Sequence, residues 1–287
     1  MATEVNLIPQ STDRAKAMSG RGAAGAVDRS AAALGTGRLI INADDWGRDR
    51  KNTDRTADCL ALGTVSAVSA MVFMEDSERA AGIAREMKVD TGIHLNFTTP
   101  FSAGNAEARL VEHQRRLTAY LRRHRLAQVM YSPGLADSFS YVVSAQMEEY
   151  CRLYGSEPFR IDGHHHMHLS ANVRRQELLP AGTLVRRNFS FQPGEKGFLN
   201  RMYRRKVDAS LARRHRLVDL LFSLLPMETD GRLKRILSLA HTSVVEVETH
   251  PVNEDEYRFL TGGECERWAG DFPIARCFSP SPLTGKE

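Results

Sequence analysis

Apolar runs and amphipathic segments alternate along the chain from Arg38 onward. The first run, RLIINAD, is apolar and β-branched and ends in polar residues, as a buried strand does. The segment 53–62 then carries apolar residues at helical spacing and stops at Gly63. The same pattern predicts strands over 38–44, 64–74, 92–97, 159–164, 183–188, 217–223, 244–249 and 274–278, and further helices over 76–87 and 144–154.

Strands that alternate with helices at this spacing predict parallel β/α architecture. Seven or eight strands favour a single (β/α) barrel over residues 37–287, with an insertion around 99–140 that forms a loop and a basic helix. No GxGxxG or Walker-type glycine loop follows a strand, which argues against a nucleotide-binding fold. Residues 1–36 are rich in Ala, Gly and Ser, and we expect them to form a mobile tail.

Composition excludes several classes of function. The chain has 39 basic and 35 acidic side chains, and this weak positive balance predicts no nucleic-acid partner. The basic stretches 114–125 and 201–216 are interpreted as solvated or partner-facing helix faces. No apolar run is long enough to span a bilayer, so we expect no membrane partner. The four cysteines lack a CxxC pair and indicate reduced thiols in a cytoplasmic protein.

Polar residues with metal-binding chemistry fall where four of the predicted strands end. They are Asp44 and Asp45, His94, the run HHHMH that begins at His164, and His250. In a parallel barrel the carboxyl ends of the strands meet at one face, so these side chains are expected to converge. Each has a structural alternative: a helix N-cap, a core histidine, a solvated strand or a strand-end turn. Their coincidence favours a metal site.

One carboxylate and two imidazoles can hold a divalent ion and leave positions for water and substrate. Such an ion lowers the pKa of bound water and polarises a carbonyl group, while a nearby carboxylate accepts the proton. A second histidine can protonate a departing amine. These groups together are suited to the hydrolysis of an amide.

Five segments, LIINADDWG, GTVSAVSAMV, GIHLNFT, RIDGHHHMH and ETHP, resemble in order and spacing the YdjC-like (ChbG/HpnK) carbohydrate deacetylases. The resemblance covers about residues 38–280. It implies a barrel related to the NodB-type polysaccharide deacetylases, one divalent metal ion, Mg or Zn, and removal of acetyl groups from a small N-acetylated sugar. Trp46 and Phe73 depart from the family pattern near the predicted pocket, so the sugar stays open.

The resemblance also implies roles for individual residues. Asp45, His94 and His164 correspond to metal ligands, Asp44 to a general base and His250 to a general acid. Adjacent residues of an extended strand point to opposite faces, which leaves open which of the two aspartates reaches the metal.

Other positions near these motifs have secondary roles in this interpretation. Arg186 corresponds to a family arginine that binds a substrate hydroxyl or carboxylate, and a surface arginine is the alternative. His166 and His168 are expected to shape the pocket, His165 to face into packing, and Asp162 to orient a metal ligand.

Two other functions remain open at the level of sequence. A phosphoesterase would need more ligands, for two metal ions, and only His166 and His168 could supply extra imidazoles. An inactive metal-binding or sugar-binding module is the second alternative. The sequence leaves a homodimer open as well.

Overall fold

The computed structural model describes four stretches of the chain, residues 37–124, 126–191, 195–227 and 231–278. The tail predicted for residues 1–36 lies outside the described residues.

Strands and helices alternate through these stretches. The strands are β1 (Arg38–Trp46), β2 (Ala67–Ala70), β3 (Asp90–Leu95), β4 (Arg160–Gly163), β5 (Leu184–Val185), β6 (Leu220–Ser223) and β7 (Val244–Thr249). The helices are α1 (Arg50–Leu62), α2 (Ser77–Met87), α3 (Ala108–Leu121), α4 (Ala136–Tyr154), α5 (Ala171–Arg175), α6 (Phe198–Leu211), α7 (Arg232–Ala240), α8 (Glu254–Thr261) and α9 (Glu264–Ala269).

The seven strands form one parallel sheet in the order β5-β4-β3-β2-β1-β7-β6. The sheet curls until the segment leading into β6 meets β5, where Val185 N–H donates to the Arg216 carbonyl over 2.9 Å. The predicted α/β barrel is confirmed, with seven strands. The predicted eighth strand, 274–278, is reduced to a bridge between Ile274 and Leu39.

Successive residues of β1 face opposite sides of the sheet, and both sides are buried. Leu39 and Ile41 join the apolar layer beneath the outer helices. Ile40 points inward, into a small apolar cluster with Ala67, Val218 and Phe278 at the amino-terminal end of the barrel. We call this cluster the barrel floor.

Polar side chains fill the barrel above the floor. Arg160 enters it from β4 and lies over the Phe278 ring, with its guanidinium carbon 4.4 Å from the ring centroid. Gly92 provides the necessary space, since a Cβ there would lie 2.7 Å from that guanidinium carbon. Arg160 also donates to the Val68 carbonyl over 2.7 Å.

The insertion contains α3, which corresponds to the basic helix predicted there. Leu110, Leu117 and Leu121 lie on its buried face, and Gln114 donates to the Thr99 carbonyl over 2.8 Å. Among the helices that the structure describes, none combines the length and apolar composition that crossing a bilayer requires.

Candidate metal centre

A β-bulge at the end of β1 brings two neighbouring carboxylates to one place. Ala43 pairs with Val68 and Trp46 with Ala70, so β1 has one extra residue over this interval. Asp45 lies within the bulge in the left-handed region, with φ 62°. As a result Asp44 Oδ2 and Asp45 Oδ1 lie 3.8 Å and 3.4 Å from His94 Nε2. Strand alternation does not hold at this position, because the positive φ of Asp45 lets both carboxylates approach the same imidazole.

Asp45, His94 and His164 form a buried group with the composition of a metal site. Asp45 Oδ1 lies 2.8 Å from His164 Nδ1, and one ligand atom from each residue falls within 4.8 Å of the other two. Within the described residues, neither Asp45 Oδ1 nor His94 Nε2 has a partner in hydrogen-bond geometry. Buried polar atoms without such partners are costly unless something else satisfies them. A divalent ion fits this donor set.

The remaining nitrogen of His94 is held by Asp162. His94 Nδ1 donates to Asp162 Oδ1 over 2.6 Å, and Ser69 and Arg160 hold the other carboxylate oxygen at 2.6 Å and 2.9 Å. This contact leaves Nε2 facing Asp45, as in metal-binding histidines. Burial lowers the pKa of His94, but Asp44, Asp162 and Asp45 outweigh it and raise the pKa to about 10. The surrounding carboxylates therefore favour a positive charge at this position.

We predict that Asp162→Asn weakens metal binding by about 10- to 100-fold, because the amide no longer supports the charge and orientation of His94. Asp208 is the matched control, since it is a buried aspartate that contacts another arginine, Arg187, at 3.1 Å. Metal titration of Asp162→Asn and Asp208→Asn checks this. Equal affinities in the two variants would contradict the role of Asp162.

The histidine run lies in a turn that begins where β4 ends, at Gly163. His165 and His166 have left-handed backbones, with φ 54° and 56°, so strand parity does not continue into the run. His165 is exposed and its Nδ1 lies 2.9 Å from Thr98 Oγ1. The prediction that His165 faces into packing is wrong for this reason.

His166 and His168 face the polar interior of the barrel mouth. His166 Nε2 lies 3.4 Å from Glu248 Oε2, and its ring packs edge-on against Phe189. His168 Nε2 donates to the Arg186 carbonyl over 2.9 Å. Their role in shaping the pocket stays a prediction.

Arg186 is buried, with 2% exposure, and its guanidinium contacts protein carboxylates. Two of its nitrogens pair with both oxygens of Asp44 at 2.6 Å and 2.7 Å, and Nε donates to Glu246 over 2.7 Å. Glu248 lies 3.2 Å from Nη1. The surface-arginine alternative is wrong, while contact with a substrate stays a prediction.

We call four residues the Arg186 cluster: Arg186, Asp44, Glu246 and Glu248. The pKa values of its carboxyl groups shift in different directions. Burial raises the pKa of Asp44, but Arg186 and His94 outweigh it and the pKa falls below its usual value. Burial and the neighbouring Asp44 raise the pKa of Glu248 well above its usual value. Sequence reasoning missed both glutamates. The signal was present in VVEVET, where two carboxylates share one face of a buried strand and precede His250.

His250 lies at the end of β7 beside this cluster. Its backbone N–H donates to Glu256 Oε2 over 2.8 Å, and its side chain is half-buried. One imidazole nitrogen lies within 4.8 Å of carboxylate oxygens of Asp44 and Glu248. Because Arg186 already supplies a cation between these carboxylates, this second group is not suited to a second metal ion.

The motifs that surround this site are those of a known family. A family model described as YdjC-like protein matches residues 38–269. The chain belongs to the YdjC-like family. The resemblance predicted from the sequence motifs is therefore confirmed.

Relatives of this YdjC-like chain include named deacetylases. It is 26% identical over 137 residues to a carbohydrate deacetylase of Mus musculus, covering 47% of this chain and 44% of the relative. It is 29% identical over 135 residues to a chitooligosaccharide deacetylase of Proteus mirabilis, covering 47% of this chain and 51% of the relative. The chain thus matches about half the length of these curated relatives.

A solved structure from Enterococcus faecalis, described as a candidate cellobiose-phosphate cleavage protein, has the same fold. The TM-score is 0.55 at 17% identity, and the match covers 83% of this chain and 96% of that one. At this identity the likeness concerns the fold alone.

Proposed function

We propose that this YdjC-like protein is a metal-dependent hydrolase that removes the acetyl group from an N-acetylated sugar. The observation that carries the proposal is the buried group Asp45, His94 and His164 beside Asp44 and His250. The deacetylase names of the relatives support the choice of an amide substrate.

Asp45, His94 and His164 would hold the metal ion. Two imidazoles and one carboxylate favour zinc over magnesium, which prefers oxygen ligands. A bound divalent ion supplies Lewis-acid polarisation of the amide carbonyl.

Asp44 and His250 divide the proton transfers in this proposal. Asp44 is held ionised by Arg186 and accepts a proton from the attacking water, whose oxygen bonds to the acyl carbon. The carbon–nitrogen bond then breaks, and His250 donates a proton to the departing amine. The products are acetate and the free amino sugar.

The Arg186 cluster favours this reaction over the phosphoesterase alternative. A second metal ion would have to displace a guanidinium that is bound to Asp44 at 2.6 Å and 2.7 Å. The Nε2 atoms of the extra imidazoles also face other groups, since His166 Nε2 lies 3.4 Å from Glu248 Oε2 and His168 Nε2 donates to a backbone carbonyl. A site for a single metal ion is suited to hydrolysis of an amide, whereas the phosphoesterase alternative would need two ions.

An acetate-release assay tests the proposed function. The substrates are N-acetylglucosamine and its short oligomers, and release is measured after chelation and again after zinc or magnesium is added back. We expect activity only with metal. Binding of zinc and sugar without acetate release, measured by isothermal titration, would instead indicate the binding module. Metal-independent release of acetate would contradict the proposed metal dependence.

We predict that His164→Ala abolishes zinc binding, whereas His165→Ala leaves most of it. His164 Nδ1 lies 2.8 Å from Asp45 Oδ1, while the neighbouring imidazole is exposed and contacts Thr98. Zinc retained after gel filtration measures the difference. Equal zinc content in the two variants, with unchanged circular dichroism, would remove His164 from the ligand set.

A further inference from the structure

Helix α6 has apolar side chains on its solvent face. Phe198 and Leu199 are 69% and 72% exposed, and Met202 and Tyr203 are 38% and 39% exposed. We call these four residues the α6 tip. They are four of the ten large hydrophobic residues exposed in the described chain, concentrated in six consecutive positions. The concentration distinguishes the tip from scattered surface apolar residues.

Helical geometry places the tip away from the core. Each residue advances about 100° around an α-helix, so the tip spans about 140° of one side. The buried residues Val207, Asp208 and Leu211 lie roughly opposite. The helix therefore buries residues of its C-terminal half and leaves a second, apolar face largely exposed, where Tyr203 Oη lies 3.5 Å from an Arg174 nitrogen.

Positive charge surrounds the α6 tip. Between Phe198 and Val207 the sequence contains four cations and no carboxylate. Arg205 and Lys206 are exposed, and Arg204 is half-buried beside Asn200. An apolar face flanked by cations is the pattern of helices that lie in the headgroup region of anionic membranes.

We propose that the α6 tip docks on the surface of an anionic lipid bilayer. Four side chains are far fewer than the roughly 20–30 residues that each partner contributes to a stable protein interface. A second copy would also bring its own cations against those of the first. From the sequence we expect no membrane partner, because no apolar run is long enough to span a bilayer. A helix that binds at the membrane surface does not need such a run.

Docking would place the bilayer beside the candidate site. Lys196 and Arg204, next to the tip, line a cavity of about 880 Å³ that also includes Phe189. The Phe189 ring lies 4.6 Å from that of His166 at the barrel mouth. Residues next to the tip and a residue in contact with His166 thus line the same cavity, and docking does not depend on the proposed activity.

Sedimentation of the full chain with vesicles tests the proposal. We expect binding to vesicles of phosphatidylglycerol and phosphatidylcholine, and little binding to phosphatidylcholine alone. The double variant Phe198→Ser/Leu199→Ser should bind at least about tenfold more weakly, because it loses apolar burial. Arg205→Gln/Lys206→Gln should weaken binding about tenfold or more by loss of charge.

Leu62→Ser/Leu126→Ser is the matched control, since these leucines are 54% and 62% exposed outside α6. It should bind as the wild type does. The proposal is overturned if the wild type does not sediment with anionic vesicles, or if the control loses binding equally. Light scattering gives a further test. The proposal is overturned if the wild type is a dimer and Phe198→Ser/Leu199→Ser, but not the control, is a monomer, since the tip would then join two copies.

Discussion

Replacing Arg186 by leucine is expected to lower the free energy of unfolding by about 3–5 kcal/mol, because it leaves buried carboxylates without their cation. The guanidinium contacts Asp44, Glu246 and Glu248 within 3.2 Å. Leucine fills part of the space but offers no donor. Equilibrium unfolding in urea measures the loss.

Two further variants separate charge from packing in this prediction. Arg187→Leu removes the neighbouring arginine, whose side chain is 23% exposed, and should cost less. Adding Asp44→Asn to Arg186→Leu should restore part of the stability, because Arg186 lowers the pKa of Asp44 and the leucine leaves that carboxylate charged and unpaired. Equal losses for the two arginines, with no gain from adding Asp44→Asn, would show that packing and not charge makes Arg186 important.

Asp44→Asn is expected to reduce kcat for acetate release by about 100- to 10,000-fold, because an amide cannot accept the proton of the attacking water. Zinc affinity should change far less, since Asp45, His94 and His164 remain in place. Initial rates of acetate release at saturating sugar and zinc measure the effect.

Asp208→Asn serves again as the control, because it removes a carboxylate beside Arg187 without changing the candidate metal centre. Its kcat should equal that of the wild type. His250→Gln should resemble Asp44→Asn if it gives a proton to the amine. If Asp44→Asn instead loses its bound zinc, Asp44 is a metal ligand and its proposed role as the general base is contradicted.

The barrel and the place of its chemistry could be predicted from sequence because both follow from periodic patterns. Apolar runs at regular spacing give parallel strands, and parallel strands collect their carboxyl-terminal residues at one face. His94, His164 and His250 meet there for this reason. The short strand β5 and the closing strand predicted at 274–278 have weaker patterns, so their extents are less predictable from sequence.

Side-chain directions within the site could not be predicted in the same way. Parity arguments assume an extended backbone, but Asp45, His165 and His166 have positive φ. A glycine in the sequence would have indicated a positive φ, but none occupies these positions. In other residues such conformations cost about 1–3 kcal/mol each and persist only where tertiary packing imposes them. The burial of Arg186 has a similar origin, since it depends on carboxylates contributed by β1 and β7.

The barrel floor has a consequence for the opposite end of the barrel. Phe278 closes the amino-terminal end beneath Arg160, and its backbone N–H donates to Asp90 over 2.7 Å. With water excluded from below, charges inside the barrel interact through a medium of low dielectric constant, which strengthens each attraction and repulsion. Phe278 thereby contributes to the strength of the attraction between Arg186 and its carboxylates, although it lies at the opposite end of the barrel from the strand ends that carry them.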